Sequence, residues 1–208
     1  MEHIPPQQDA SAMRSKGSTL QGDTVKAIEH KIQFRIPSNW VKWYSENTDY
    51  PNLHLSPDEL ALIKDADGEW DTEFSIIVNE ILPFDQCIAH VGSEGWGLKG
   101  ISYADLQVRF FVLTGSSEDL VRAACAKGPE VITGFTRVTP VVKQEKREGW
   151  QSVLLEYARR YQDYGAKASV DIRIRPWGIH TIAFAFMYTD HTNHQNEIEL
   201  ILNSVLPE

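Results

Sequence analysis

The sequence predicts an α+β domain in which a mostly antiparallel sheet carries packed helices. Three observations support this fold class. Runs of alternating polar and apolar residues recur along the chain, as in half-buried strands. The last of these runs are joined by connections too short for a parallel crossover, so neighbouring strands must run in opposite directions. The C-terminal segment places apolar residues at helical spacing, which provides a helix to pack on the sheet.

Length and composition fit one folded domain behind a tail. The chain has 208 residues, of which 42% are hydrophobic and 24% are charged, as is usual for a globular protein. Residues 1–25 are rich in Pro, Gln, Ser and Gly and lack apolar periodicity, so we expect a flexible N-terminal tail there. A single α+β domain is predicted over 26–208.

Charge and hydropathy argue against two kinds of partner. The net charge of -9 disfavours nucleic acid, whose phosphates require a basic patch. No apolar run approaches the ~18 residues of a membrane span. The first residues lack the positive-then-apolar order of a secretory signal, so a cytoplasmic location and export with the signal removed both stay open.

The first half of the chain predicts three strands and a helix. Alternation over 30–36 predicts a first strand, and a capping box with proline at the first helical position predicts a helix over 56–67. Alternating apolar residues favour a strand over 73–82. The same pattern predicts another strand over 105–113.

The middle of the chain predicts a helix and a hairpin. A capped helix is expected over 117–127, where Gly128 and Pro129 end it. Residues 135–142 are then predicted to pair with 150–161. The charged segment between these two strands serves as a solvated turn.

Two late strands are predicted to be adjacent and to share one apolar face. The chain turns between them at Pro176-Trp-Gly178. Small residues on the other side of the second strand leave room for a further element to pack closely. The shared apolar face consists of Ala168, Val170, Ile172, Ile174, Ile182, Phe184, Phe186 and Tyr188, and the small residues are Thr181, Ala183 and Ala185.

The last helix is predicted over 192–206 and supplies the element that packs on the sheet. Thr192 and Gln195 form a capping box at its start. Its apolar residues follow the spacing i, i+3, i+4, i+7, which gives one stripe to bury. This stripe consists of Ile198, Ile201, Leu202 and Val205.

A GxGxxG pattern occurs at Gly95, Gly97 and Gly100. In a dinucleotide site a helix must follow such a loop and face the pyrophosphate, but the residues that follow here predict a strand. The pattern therefore indicates a surface loop, and no cofactor is predicted. Trp96 in this loop either packs into the core or contacts a partner.

One candidate metal site lies where the last strand meets the last helix. His180, Asp190, His191 and His194 offer the carboxylate and imidazole ligands that divalent metals take. The alternative is that Asp190 caps the helix and that the histidines are ordinary surface residues, because no established metal-binding motif is present.

The two cysteines leave two interpretations open. Cys87 and Cys125 are too few for a disulfide framework, so they form either one bridge or two buried free thiols. Cys87 and His90 lie three residues apart and could form a thiolate pair on a helix, although a structural cysteine is the simpler interpretation.

Aromatic and cationic side chains supply candidate contact residues. Trp40, Trp43 and Tyr44 could form an aromatic platform, and we expect Trp40 to be buried and Trp43 to be partly exposed. Two arginines on one late strand form the best local basic stripe. The candidate ligand or partner contacts are Trp43, Trp96, Arg173 and Arg175.

The order of the elements and two short motifs carry a family resemblance. The opening strand ends in Phe34-Arg-Ile-Pro-Ser-Asn-Trp40, and the closing helix carries Ile201-Leu-Asn-Ser-Val205. With the antiparallel meander between them, these features resemble the Mog1/PsbP-like family over about residues 30–206. The resemblance implies an α/β/α sandwich. Known members are mostly non-catalytic: one branch binds a small GTPase and another stabilises the photosynthetic oxygen-evolving complex.

These observations lead to three hypotheses on function. The first is a non-enzymatic binding or accessory protein that contacts a protein partner through a sheet face or loops. The second is a small metal-binding protein or enzyme with its site around the three histidines and Asp190. The third is a ligand pocket between sheet and helices, lined by Trp43 or Trp96.

Overall fold

A computed structural model describes residues 24–27, 29–38, 40–45, 77–82, 87–92, 106–161, 164–189 and 194–207. Within these ranges the fold is mixed, with antiparallel sheets and helices packed on them. In chain order, the elements are β1 (Thr24–Ala27), β2 (Ile32–Arg35), β3 (Val41–Ser45), β4 (Cys87–Gly92), β5 (Leu106–Leu113), α1 (Ser117–Thr136), β6 (Val141–Arg147), β7 (Trp150–Tyr161), β8 (Tyr164–Trp177), β9 (His180–Thr189), α2 (Gln195–Asn203) and β10 (Leu206–Pro207). Residues 77–81 are also helical.

The strands form one large sheet and one small sheet. The large sheet has seven strands in the order β3-β4-β5-β9-β8-β7-β6, and the small sheet has the order β1-β2-β10. Every strand pairing in both sheets is antiparallel, which confirms the predicted strand directions. The strands predicted over 30–36 and 105–113 are also confirmed, as β2 and β5.

Both faces of the large sheet are buried at its centre. All eight residues of β5 are buried, as are seven consecutive residues of β9, which is typical of strands covered on both sides. On one face, Phe110, Phe184 and Phe186 pack with the small sheet and α2, and we call it the phenylalanine face. On the other face, Ala183 and Ala185 pack with the aliphatic residues of β8 and with α1, and we call it the alanine face.

The prediction that the large apolar residues of β8 and β9 share one face is wrong. Ile172 pairs with Ala185, whereas Phe184 pairs with Arg173. Only residues 178 and 179 form the turn, because Trp177 already pairs with His180. A turn of this length pairs even-numbered residues of one strand with odd-numbered residues of the other. Since paired residues point to the same face, the aliphatic residues of β8 share the alanine face.

The last helix is buried as predicted, but on the other side of the sheet. Its apolar stripe packs in the same cluster as Phe184 and Phe186, on the phenylalanine face rather than against the small residues of β9. The helix begins at Gln195 with His194 as its N-cap, without a capping side-chain bond. Thr192, the predicted cap, lies outside the described residues. The four stripe residues, Ile198, Ile201, Leu202 and Val205, are each at most 7% exposed.

Helix α1 continues past the predicted stop. Pro129 lies inside the helix, which ends at Arg137 in the left-handed conformation, with the backbone N–H of Arg137 donating to Thr133 O at 2.9 Å. Gly128 is explained by packing, because a Cβ atom there would lie 2.6 Å from Leu155 Cδ1 of β7. The glycine therefore allows close approach of helix and sheet rather than ending the helix.

The predicted hairpin is confirmed, but its first strand is displaced along the chain. Most of the charged segment predicted as a turn forms β6, and only Glu148 and Gly149 form the turn. Both turn residues have positive φ, at 51° and 82°, as in the two-residue turns that match strand twist. All seven residues of β6 are exposed, so this strand lacks the alternation that identifies a half-buried one.

The prediction of a strand over 73–82 is wrong for residues 77–82, the part that the structure describes. Residues 77–81 are helical, and the Leu82 N–H donates to Val78 O at 2.7 Å. Ile77, Val78, Ile81 and Leu82 are buried at helical spacing against the alanine face. The helix over 56–67 and the glycine-rich loop lie outside the described residues. The tail and domain boundary stay predictions, although β1 begins at Thr24.

We predict opposite effects of substitution at two glycines of α1. Gly128→Val should destabilise the protein by about 1–3 kcal/mol, because the buried Leu155 must move. Gly134→Ala should stabilise it by about 0.5–1 kcal/mol, since Gly134 is exposed and a Cβ there meets no atom within 4 Å. Urea unfolding of both variants measures the difference. Equal effects at the two positions would contradict the close packing of α1 on β7.

Candidate functional site

A buried ion pair lies on the phenylalanine face of β8. The Arg173 Nε is 2.9 Å from both carboxylate oxygens of Asp171, and Arg173 Nη2 donates to Oδ2 at 2.7 Å. The Ser152 hydroxyl donates to the same carboxylate at 2.9 Å. Burial raises the pKa of Asp171, while Arg173 and Ser152 lower it. Asp171 is 1% exposed and Arg173 8% exposed, so Arg173, predicted as a contact residue, is part of the interior.

Arg175, two residues further along β8, lies partly at the surface. Its guanidinium carbon is 4.4 Å from the ring centroid of Trp150 and 5.1 Å from that of Trp177. Such contacts stabilise the cation through the electron-rich ring faces. The Arg175 Nε is buried and has no hydrogen-bond acceptor in the part of the chain that the structure describes, and burial lowers the pKa of this guanidinium. Arg175 therefore keeps its charge beside two tryptophans without a carboxylate partner among the described residues.

The β8–β9 turn displays an apolar side chain next to Arg175. Ile179 is 94% exposed and follows Gly178, whose φ of 60° allows the tight turn. The ring of His180, which begins β9, lies 5.7 Å from the ring of His30 in the β1–β2 turn. We call this surface, formed by Arg175, Trp177, Ile179 and His180, the hairpin end.

Sequence analysis predicted one member of the hairpin end as a contact, Arg175, and placed His180 in a metal site. It missed Trp177 and Ile179. An isoleucine directly after a Trp-Gly turn was the available signal, because turns usually carry polar residues there.

The structure does not bring together His180 and His194, the two described histidines of the predicted metal site. His180 begins β9, whereas His194 packs beside Tyr188 near the end of that strand, with ring centroids 6.0 Å apart. Eight residues of strand separate His180 from Tyr188, about 26 Å at roughly 3.3 Å per residue. Asp190 and His191 lie outside the described residues. Within the described part of the chain, no three potential ligands cluster as a metal site requires.

Cys87 and His90 do not form a reactive pair. Both lie on strand β4 rather than on a helix. The Cys87 thiol donates to Ala89 O at 3.5 Å, and burial raises the pKa of Cys87 to about 11. Burial and the positive charge of Arg109 lower the pKa of His90 to about 3. A thiolate–imidazolium pair requires the opposite shifts. Cys87 and Cys125 are both free thiols, so no bridge joins them.

The structure describes one side chain of the predicted aromatic platform, that of Trp40. Trp40 is 9% exposed and is buried as predicted. Residues 41–45 form β3, so Trp43 and Tyr44 follow strand geometry instead of the helical spacing that would align all three side chains. The side chain of Trp43 and the whole of Trp96 lie outside the described residues.

Comparisons with known proteins identify no family. No family model and no curated protein matches this chain. A solved structure from Bacteroides thetaiotaomicron VPI-5482 is similar with a TM-score of 0.46 and 9% identity, over 91% of this chain and 49% of that one. This chain thus spans about half of its length. LpqN, involved in cell envelope biogenesis of Mycobacterium tuberculosis, is similar with a TM-score of 0.43 and 8% identity, over 97% of this chain and 98% of LpqN.

A helix that crosses a bilayer must be about twenty residues long and predominantly apolar. Among the helical residues that the structure describes, no helix combines the length and the apolar character needed to cross a membrane.

Substitution of Arg173 should show whether it is structural. We predict that Arg173→Leu destabilises the protein by about 3–5 kcal/mol, because it leaves the buried Asp171 carboxylate without its counterion. The double variant Asp171→Leu with Arg173→Leu should recover most of this loss, since no unpaired charge remains. Guanidinium unfolding measures both variants. A cost near zero for the single variant would identify Arg173 as a surface residue.

His90 should make stability depend on pH. Its pKa is about 3 in the folded protein and near 6.5 when unfolded, so protonation favours unfolding. Stability present above pH 6.5 is therefore lost as the pH falls towards about 3, by about 1.4 kcal/mol per pH unit. His90→Gln should lose about 2 kcal/mol less than the wild type between pH 7 and 5. Urea unfolding at both pH values gives the comparison, and equal losses would show that His90 is exposed to water.

Proposed function

We propose that this chain is a non-enzymatic binding or accessory protein that contacts a protein partner through the hairpin end. The observation that carries the proposal is Ile179, whose side chain is 94% exposed at the tip of the β8–β9 hairpin. An apolar side chain held in water gains free energy when a partner covers it. Its position at a turn means that no neighbouring element of the described fold covers it.

The neighbours of Ile179 are of the types that contribute most to protein interfaces. Tryptophan and arginine dominate binding hot spots, and here Trp177 and Arg175 are adjacent through a cation–π contact. Arg175 holds a partly desolvated charge that no carboxylate of the described residues pairs with, so an acidic group on a partner would find a prepared counterion. The hairpin end thus combines an apolar tip with a cationic, aromatic base.

The strands below the hairpin end hold it in a fixed shape. β8 and β9 pair without interruption from Ala168 and Thr189 to Trp177 and His180. Because the turn has two residues, its tip cannot move far without breaking strand pairs. A rigid surface loses little conformational entropy on binding, which favours a binding role.

Several buried or half-buried polar groups of the described fold have structural roles. Arg173 and Ser152 both donate hydrogen bonds to the Asp171 carboxylate, and His90 and Cys87 are held in their neutral forms. Residues poised for acid–base or nucleophilic chemistry would have pKa values near the working pH. This use of titratable groups supports a binding role over a catalytic one.

A place in the Mog1/PsbP-like family remains part of the proposal. Its support is the order of elements: β2 followed by Ile36-Pro37 and Trp40, the meander β6–β9, and the closing helix α2. Members of that family are mostly non-catalytic, in agreement with an accessory role.

Photo-crosslinking tests the proposal at two matched positions. A benzophenone amino acid replaces Ile179 in one variant and Leu200 in another, because Leu200 is also an exposed aliphatic residue, at 48%, on α2. In the organism that makes this protein, we expect a discrete crosslinked protein from position 179 and none from position 200. Crosslinks that are absent at 179, or the same at both positions, would contradict the proposal.

Affinity measurements with the crosslinked partner complete the test. Ile179→Asp and Arg175→Ala should each weaken binding by about 2 kcal/mol, roughly thirtyfold, as expected of hot-spot residues. Leu200→Asp is the control and should bind as the wild type does. Unchanged affinity in both hairpin-end variants would place the interface elsewhere.

A further inference from the structure

Strand β6 leaves one edge of the large sheet open. It is the last strand in the sheet order and pairs only with β7 among the described strands. All seven of its residues are exposed, and two of them are apolar: Val141 is 58% and Val142 38% exposed. The backbone groups along an edge of this kind can pair with another strand.

We propose that β6 pairs with β6 of a second copy of this chain, antiparallel, about a twofold axis at Gln144. This surface is separate from the hairpin end, and the proposal does not depend on the proposed function. A twofold axis perpendicular to the sheet pairs residues of β6 whose numbers are equally spaced from 144. Lys143 then lies opposite Glu145 of the second copy, Val142 opposite Lys146, and Val141 opposite Arg147.

Charge complementarity selects this register. Lys143 and Glu145 lie on the same face of β6, since they pair with Leu154 and Ser152 of β7. In the proposed register they form two equivalent ion pairs across the axis. Shifting the register by two residues places either two Lys143 or two Glu145 side chains directly opposite each other, which is unfavourable. The other registers of similar length are thereby disfavoured.

The charges already present around Lys143 leave a place for this contact. Lys143 and Lys167 both bind the Glu156 carboxylate, so two ammonium groups share one carboxylate. Glu145 is exposed and forms no ion pair within the described chain. Glu145 of the second copy would give Lys143 an acidic partner that it does not share with Lys167.

The same register covers the two exposed valines. Val141 and Val142 lie opposite Arg147 and Lys146 of the second copy, whose aliphatic stems can pack on apolar groups while the charged ends stay in water. The Arg147 guanidinium is occupied within its own chain, where it lies 3.5 Å from Glu199. Its aliphatic stem can therefore cover Val141 of the second copy while the guanidinium keeps its contact with Glu199. One arrangement thus accounts both for the exposed valines and for Glu145, which has no ion pair among the described residues.

Charge reversal and charge exchange test the dimer. Sedimentation velocity from low to high micromolar concentration should show a monomer–dimer equilibrium for the wild type, because a ladder of seven residues is a small interface. Lys143→Glu and Glu145→Lys should each weaken the dimer about tenfold or more, since both symmetric pairs change from attraction to repulsion. The double variant with both changes restores opposite charges and should dimerise within about threefold of the wild type.

Two controls keep the test specific. Glu145→Lys leaves the Lys143–Glu156 ion pair intact, so it reports on the dimer even if Lys143→Glu disturbs folding. Lys127→Glu, an exposed charge reversal on α1, should leave the equilibrium unchanged. A wild type that stays monomeric at every concentration would overturn the proposal. So would a dimer that neither reversal weakens, or a double variant that dimerises no better than the single ones.

Discussion

The contact of Phe34 with Phe110 and Phe184 holds the two sheets together. The ring of Phe34, on β2, lies 5.1 Å from each of the other two, and those two lie 4.7 Å apart. All three rings are at most 1% exposed. Aromatic pairs of this kind contribute roughly 0.5–1.5 kcal/mol beyond their buried area. Because the small sheet is fixed here, α2 can pack beside it, and the Arg35 N–H can donate to the Ser204 hydroxyl at 2.7 Å.

Strand β8 connects this core to the surface along one row of side chains. Asp171, Arg173 and Arg175 alternate with buried aliphatic residues and point to the same face. The first two neutralise each other in the interior, whereas the third ends beside Trp150 and Trp177. The three residues differ in how deeply they are buried, because this row of side chains runs from the middle of the sheet to its end. Three polar residues of one strand thus serve two purposes, internal pairing and surface charge.

Periodicity predicted where strands and helices lie in the sequence better than it predicted their register and the faces to which their side chains point. Alternation identified β2, which has one buried side, and helical spacing identified the buried stripe of α2. Strand β5 was identified in the same way because it also alternates in sequence, although its polar residues Gln107 and Arg109 are buried too. Register was missed, since a turn of two residues instead of three moves every side chain of β9 to the other face. The bounds of β6 were missed because an edge strand exposed on both sides has no alternation. Arg175 was predicted as a contact from its charge, but depth alone separates it from Arg173, and sequence does not record depth.

The small sheet joins parts of the chain that are far apart in sequence. Leu206 pairs with Gln33, and Pro207 with Ile32, whereas the meander β6–β9 is joined by turns of a few residues. Local pairings form quickly, but pairings across long loops carry a larger entropic cost and form late. During synthesis on the ribosome, β2 must therefore wait for β10, with its apolar side uncovered by α2. The meander can fold first and give the late-arriving helix a finished surface on which to dock.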